Sequence, residues 1–180
     1  MRVISGKYRG KRLFAPDGKF VRPTTDRIKE TVFNILSSKN DFEGAYILDL
    51  FAGSGALGIE ALSRGAKSAV FIDNSAESVK YIKANLANVG IDAQVYNTDF
   101  RVALRKLSGK EKFDYIFIDP PYFAQAEKVV FDLIEEYNIL SEKGIICNSV
   151  TSYSESSVNS FISIFFITKV NYSSISISCS

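Results

Sequence analysis

Apolar and polar positions follow two different periods along the chain. Five apolar runs have the length of buried strands, and the segments between them repeat apolar residues every three or four positions, as amphipathic helices do. The predicted strands are 46–50, 68–73, 93–96, 113–118 and 145–150. The first predicted helix has Thr25 or Asp26 as its cap. The other predicted helices cover 56–63, 76–89, 101–107 and 124–140. This alternation predicts an α/β fold, a Rossmann-like parallel sheet with helices on both faces.

The amino-terminal segment differs from the rest in charge. Glycines and prolines divide residues 1–22 into short pieces, which predicts a small β-hairpin. Residues 1–29 have a net charge of +7, whereas the remainder has −5. Because a basic segment on a mildly acidic body favours a polyanionic partner, we predict that residues 1–40 form a nucleic-acid-binding arm and helix. The alternative is a solvated surface rich in lysine.

Composition excludes several kinds of chemistry. The chain has no histidine, so a His-based triad, a His-ligated zinc ion and an imidazole base are all excluded, and we expect no metal. Cys147 and Cys179 fit neither a metal site nor a disulfide, which favours a reducing, cytoplasmic location. We expect neither a signal peptide nor a membrane span. A monomer is the default expectation.

Asp119-Pro120-Pro121-Tyr122 follows directly after a predicted buried strand. The prolines fix the backbone and remove N–H donors, which leaves a carboxylate and outward carbonyls as neighbouring acceptors. Two acceptors match the two hydrogens of an exocyclic amine, and an aromatic ring can stack on the base that carries it. The segment therefore predicts a site for an amino group on a nucleobase. A strand simply ended by two prolines is the alternative.

Acidic residues occur at or just after the ends of four predicted strands: Asp49, Asp73, Asp99 and Asp119. Residues 53–58 read Gly-Ser-Gly-Ala-Leu-Gly, which fits the glycine pattern of adenosine cofactor sites, and an acid lies 20 residues after the first glycine. An acid on the first strand would repel a pyrophosphate but suit an ammonium group. The acid that ends the second strand would hold the ribose hydroxyls, and Asp99 would accept from the adenine amine. An ammonium group, a ribose and an adenine together indicate S-adenosylmethionine (SAM). Helix caps are the alternative explanation for the second and third acids.

Residues 48–65, LDLFAGSGALGIEALSRG, resemble the cofactor motif of the RsmD family, bacterial enzymes that methylate the exocyclic N2 of one guanine in small-subunit ribosomal RNA. The amino terminus is similar as well, at residues 2–6, 9–11, 22–27 and 30–31. Asp-Pro-Pro-Tyr is shared more widely, with enzymes that methylate exocyclic amines on DNA or RNA. The resemblance covers residues 1 to about 147. It implies a class I SAM-dependent methyltransferase domain over residues 41–180.

The resemblance also implies a role for each motif residue. The predicted cofactor-binding residues are Asp49, Phe51, Gly53, Ser54, Gly55, Asp73, Asn74, Asp99 and Phe100. The predicted catalytic residues, which would hold the target base, are Asp119, Pro120, Pro121 and Tyr122. The predicted RNA-binding residues are Arg2, Lys7, Arg9, Lys11, Arg12, Arg22 and Arg27. The implied partner is ribosomal RNA or an assembly intermediate of the small ribosomal subunit.

Three other functions remain open from the sequence. They are methylation of adenine N6 in DNA or RNA, nicotinamide-dependent oxidoreduction, and RNA binding without catalysis. Residues 148–180 depart from the family pattern: they are rich in serine and carry only Glu155 and Lys169 as charges. A β-rich stretch over 161–170 and a Ser-Ile alternation over 174–178 favour the last strands of the sheet, and a diverged, truncated or frame-shifted end is the alternative.

Overall fold

The predicted α/β architecture is confirmed by a computed structural model, which describes residues 1–15, 26–39, 41–119, 124–154, 157–168 and 171–179. Seven strands form one sheet in the order β3-β2-β1-β4-β5-β6-β7. The strands are β1 Tyr46–Leu50, β2 Ser68–Asp73, β3 Gln94–Asn97, β4 Phe113–Ile118, β5 Leu140–Ser154, β6 Ser157–Thr168 and β7 Asn171–Cys179. The helices are α1 Asp26–Lys39, α2 Ala56–Ser63, α3 Ala76–Val89, α4 Phe100–Leu107 and α5 Ala124–Glu136.

The first five strands run parallel and are covered on both faces. Side chains alternate between the faces, so that Ile47 and Phe71 belong to one apolar cluster whereas Leu48 and Ile72 belong to the other. Burial on both faces explains why the central strands are nearly continuous apolar runs. Since all five strands point the same way, their carboxyl ends meet along one edge of the sheet.

Some predicted boundaries were wrong by one or more residues. The third strand begins at Gln94 rather than at position 93, and α5 ends at Glu136 rather than at position 140. Asn138 has a left-handed backbone conformation, with φ 51°, and the Ile139 N–H bonds back to the Ile134 carbonyl at 3.0 Å. A left-handed residue of this kind ends a helix, so Leu140 is released to begin β5.

The carboxyl-terminal strands extend the sheet beyond its parallel part. The fifth strand is longer than predicted, and β6 pairs with it antiparallel. The seventh strand pairs antiparallel with β6 and forms the edge of the sheet. The strands predicted over 161–170 and 174–178 are therefore confirmed over 161–168 and 174–178, and positions 169 and 170 lie outside the described residues. In the described part of the chain, no helix is long and apolar enough to cross a membrane.

The amino-terminal arm folds back on itself, as predicted, but with little strand character. Its antiparallel pairing consists of one bridge between Arg2 and Arg12, flanked by a bond from the Val3 N–H to the Lys11 carbonyl at 2.9 Å. Val3 and Leu13 are buried in the same apolar cluster as residues of the sheet. The arm therefore packs directly on the domain that carries the predicted cofactor site.

Candidate active site

Three of the predicted acids lie at the carboxyl ends of neighbouring strands. Asp49 stands in register with Phe71 of β2 and Phe117 of β4. Asp73 is the last residue of β2, and Asp119 follows directly after β4. Because β1 lies between β2 and β4, the sheet gathers the three carboxylates along one short stretch of its edge.

The loop after β1 has the backbone conformation of a ligand-binding turn. Gly53 and Gly55 have φ values of 56° and 75°, which favour glycine. Phe51 also has a positive φ, 61°, although it carries a large side chain. Such strain concentrates at functional sites, where the surrounding structure enforces it. A Cβ at Gly53 would meet only the Phe51 carbonyl oxygen, at 3.9 Å, so the space before this residue is open to a ligand.

The third glycine of the pattern serves packing rather than binding. A Cβ at Gly58 would lie 2.4 Å from the ring of Phe71, so only glycine lets α2 approach the sheet this closely. The Gly58 N–H donates to the Asp49 carboxylate at 2.9 Å. The first strand and the first turn of α2 are thereby held together directly beneath the loop.

Asp73 connects the same loop to α3. One carboxylate oxygen accepts from the Gly53 N–H at 2.8 Å, and the other accepts from the Ser75 N–H, also at 2.8 Å. Ser75 in turn caps α3 by accepting from the Ser78 N–H. Asp73 is 9% exposed, and its neighbour Asn74 is exposed at the end of β2. The carboxylate thus fixes the loop after β1 against the start of α3.

Burial dominates the electrostatics of Asp49, which is only 1% exposed. Desolvation raises the pKa of this carboxyl well above its usual value, the hydrogen bond from Gly58 lowers it, and the charges of Asp119 and Asp73 raise it further. The edge of the sheet is therefore a region of negative potential. A cation bound here would relieve the repulsion among these acids.

Asp99 occupies a helix cap, which was the alternative explanation for this residue. Its carboxylate accepts from the Arg101 N–H at 2.8 Å and pairs with the Arg101 guanidinium at 3.1 Å. Its side chain is still 41% exposed. The neighbouring Phe100 is 7% exposed and packs against Phe51, with ring centroids 5.3 Å apart. The two rings form an apolar surface between the predicted cofactor loop, residues 51–55, and α4.

The predicted base-binding segment is described only at its first residue. Asp119 is partly buried, and its charge reaches both Asp49 and Cys147. Burial is the main cause that raises the pKa of the Cys147 thiol to about 12, with Asp119 and Asp49 adding to it. The other three predicted catalytic residues, Pro120, Pro121 and Tyr122, lie outside the described residues.

The predicted RNA-binding side chains are exposed wherever the structure describes them: Arg2, Lys7, Arg9, Lys11, Arg12 and Arg27. Arg22 lies outside the described residues. Three of these arginines, at positions 2, 9 and 27, line a cleft of about 380 Å³ between the arm and α1. Asp26 also lines it and pairs with Arg2 at 3.5 Å. The cleft is therefore a partly neutralised basic surface, on the arm side of the domain.

Lys29 contributes to the net charge of +7 over residues 1–29, but its ammonium group is not available to bind a phosphate. Its side chain is fully buried and lies 3.2 Å from the Glu60 carboxylate, which is fully buried too. Glu60 also accepts from the Ile4 N–H at 2.8 Å and from the Arg64 side chain at 3.0 Å. Sequence reasoning missed this cluster. The available signal was an acid in the middle of the apolar helix ALGIEALS.

Asn85 is a second residue that sequence reasoning missed. It is fully buried on α3, and its amide bonds both to Phe14 of the arm and to Ser54 of the cofactor loop. Its signal was an asparagine next to Leu86 on the apolar face of a helix.

Among the described residues there is also a larger cavity, of about 600 Å³, but it lies at the amino ends of β1 and β2, away from the acidic edge.

Comparisons with known proteins identify the family of this chain. A family model described as "Conserved hypothetical protein 95" matches residues 1–173. The "Putative rRNA methyltransferase YlbH" of Bacillus subtilis strain 168 is 46% identical over 149 residues, which cover 81% of this chain and 80% of that protein. The "Ribosomal RNA small subunit methyltransferase D" of Escherichia coli strain K12 is 37% identical over 148 residues, covering 81% and 72%.

Solved structures show the same architecture. "Putative methyltransferase yhhF from Escherichia coli" superposes with a TM-score of 0.75 at 35% identity, covering 85% of this chain and 82% of that one. "Crystal structure of SMU.776, a putative methyltransferase complexed with SAH" superposes with a TM-score of 0.60 at 24% identity, covering 78% and 39%. The second likeness concerns the fold alone, which is that of class I methyltransferases.

Proposed function

Because this chain belongs to the RsmD family, we propose that it transfers the methyl group of SAM to the exocyclic N2 of a guanine in small-subunit ribosomal RNA. One observation carries the proposal. Asp49, Asp73 and Asp119 lie together at the carboxyl edge of the parallel sheet, around a loop with two left-handed glycines. Ligands of such sheets bind at this edge.

The residues at this edge fit SAM. The open space before Gly53 admits a ligand close to the backbone, and Asp73 lies where it can accept from ribose hydroxyls. Asp49 places a buried carboxyl at this edge, whose ionised form the ammonium group of SAM would favour, and we assign the apolar surface of Phe51 and Phe100 to the adenine. We assign Ser54, Gly55, Asn74 and Asp99 to the same site. When bound, SAM would supply a methyl group on a sulfonium, whose leaving group is a neutral thioether.

The target amine needs acceptors more than it needs a base. An aromatic amine is a poor nucleophile, because its lone pair is delocalised into the ring. We assign to Asp119 and the Pro120 carbonyl the role of accepting from its two hydrogens, which favours a pyramidal nitrogen and exposes the lone pair. Tyr122 would stack on the base. Catalysis then consists mainly of positioning and electrostatics, and the target must be unpaired or flipped out of a helix.

The basic arm supplies affinity for RNA in this proposal. Its side chains Lys7, Arg9, Lys11 and Arg12 are exposed and lie on the same domain as the acidic edge. Each phosphate that they neutralise releases counterions, so RNA binding should weaken steeply with salt. The arm would hold the backbone of the RNA, whereas the pocket around Asp119 would select the base.

The decisive experiment compares Asp119→Ala with Asp92→Ala. Asp92 is exposed in the loop between α3 and β3, at the opposite edge of the sheet, so its loss controls for a general change in charge. We expect Asp119→Ala to lose methyl transfer to small-subunit ribosomal RNA while SAM binding, measured by isothermal titration, stays within about twofold of wild type. Asp92→Ala should keep both. A fully active Asp119→Ala variant would refute the assignment.

The same assay separates the other candidate functions. Transfer of label from SAM to DNA rather than RNA, or to adenine rather than guanine, would replace the proposed substrate by adenine N6. Binding of NAD instead of SAM would indicate an oxidoreductase. RNA binding by a folded chain that takes up no SAM would leave a binding module without catalysis.

A further inference from the structure

We propose that Asn85 is a positioning residue that holds the basic arm against the cofactor loop, so that SAM binding and RNA binding strengthen each other. The inference rests on the proposed function, because it assigns SAM to the loop and RNA to the arm. It adds a coupling between two sites that the motifs alone treat as separate.

The contacts of Asn85 reach two segments that are far apart in sequence. Its Nδ2 group donates to the Phe14 carbonyl and to the Ser54 carbonyl, both at 2.8 Å. Its Oδ1 atom accepts from the Phe14 N–H at 2.7 Å. Both hydrogens of the amide and its oxygen are therefore engaged, and the partners fix which end of the amide is which.

Burial raises the free-energy cost of losing any of these hydrogen bonds. Asn85 is fully buried, so water cannot readily replace a lost partner, and an unpaired buried polar group is costly. The amide is planar and rigid. A displacement of the Ser54 carbonyl therefore either rotates the amide, and with it the bonds to Phe14, or breaks a buried hydrogen bond.

Asn85 anchors the arm at Phe14 itself, next to the buried Leu13. The side chain of Phe14 is 53% exposed, so its burial cannot hold the backbone in place. The hydrogen bonds from Asn85 use both the N–H and the carbonyl of this residue, as a neighbouring strand would.

Ser54 is equally central to the other site. It lies between Gly53 and Gly55, the two left-handed glycines of the cofactor loop, and it is buried. A ligand that orders this loop also orders the Ser54 carbonyl, and through Asn85 it orders the arm. By thermodynamic reciprocity, RNA held by the arm must then favour the loop conformation that binds the cofactor.

Asn88 provides a matched control on the same helix. Its Nδ2 group donates to the Arg12 carbonyl at 2.8 Å, so it also contacts the arm. The structure shows no bond from its side chain to the cofactor loop among the described residues. Asn88→Ala therefore weakens the arm without cutting the connection that we propose.

The test measures the affinity of full-length protein for purified small-subunit ribosomal RNA, with and without saturating S-adenosylhomocysteine. For wild type we expect the cofactor product to tighten RNA binding by about fivefold or more, within the usual range of coupling between sites. Asn85→Ala should bring this ratio close to one. Asn88→Ala should weaken RNA binding in both conditions yet keep the ratio.

A second variant guards against a folding defect. Phe14→Pro removes the arm's N–H donor and leaves Asn85 and the loop intact, so it too should lower the ratio, with circular dichroism as the check on folding. The inference is overturned if S-adenosylhomocysteine does not tighten RNA binding by wild type. It is also overturned if folded Asn85→Ala and Phe14→Pro keep the wild-type affinity ratio, or if Asn88→Ala lowers that ratio as much as Asn85→Ala does. If wild type fails to bind S-adenosylhomocysteine at all, the proposed function fails instead.

Discussion

Replacing Lys29 by methionine should destabilise the fold by about 3 kcal/mol. The Lys29 ammonium lies 3.2 Å from the Glu60 carboxylate, and these two side chains are fully buried. The ammonium also donates to the Arg2 carbonyl at 2.6 Å. Removing one member of a buried ion pair typically costs about 3–5 kcal/mol. The lower end applies here, because Glu60 keeps Arg64 and the N–H groups of the arm.

Urea unfolding followed by circular dichroism measures this effect directly. The matched control is Lys80→Met, which removes an exposed lysine from α3 and should change stability by no more than about 0.5 kcal/mol. For a chain of this size, the loss in Lys29→Met corresponds to a fall in Tm of about 6–12 °C. Equal stability of the two variants would refute the view that the buried pair holds the arm.

The pH dependence gives the same prediction a second test. Burial lowers the pKa of Lys29 below its ordinary 10.5, although Glu60 opposes the shift. Between the lowered pKa and 10.5 the unfolded chain binds more protons than the folded one, so wild-type stability gains a contribution that rises with pH. Lys29→Met lacks that contribution. The stability difference between the two proteins should therefore widen as the pH rises through the lowered pKa toward 10.5, and a constant difference would contradict the assignment.

Three further predictions concern other parts of the molecule. Gly58→Ala places a Cβ 2.4 Å from the Phe71 ring and should lower stability by about 1–3 kcal/mol; an unchanged urea midpoint would contradict the close approach of α2. Cys147, with its pKa raised to about 12, should resist iodoacetamide at pH 8 until urea unfolds the chain, as measured by mass spectrometry in a Cys179→Ser background. Arg9→Ala should reduce the salt slope of RNA binding by about 0.7–0.9, the value for one phosphate, and an unaltered slope would remove Arg9 from the interface.

The parallel core could be predicted closely from sequence because its signals are local. The strands β1, β2 and β4 are apolar runs bounded by polar residues, and their predicted limits agree with the structure. The limits of α3 follow from Ser75, which caps its start, and Gly90, which ends it with φ 75°. Side-chain chemistry within a few residues decides each of these boundaries.

Features that depend on distant residues were harder to predict. The strand β3 is short, and most of its side chains are exposed or half-buried, so its apolar pattern was too weak to fix its start. The bonds from Glu60 to Ile4 and from Asn85 to Phe14 join residues more than 50 positions apart, and nothing near either residue indicates that partner. The antiparallel pairing of β5 with β6 likewise follows from long-range contacts rather than from alternation alone.

The way in which the arm satisfies its backbone groups explains why it cannot be a detachable module. With a single bridge between its halves, the arm relies on the helices beneath it: Glu60 accepts from the Ile4 and Ser5 N–H groups, and Ser63 accepts from the Tyr8 N–H at 3.0 Å. Deleting the arm would leave several buried polar side chains of α1, α2 and α3 without these partners. The surface that we assign to RNA and the helices beneath it must therefore fold as one unit.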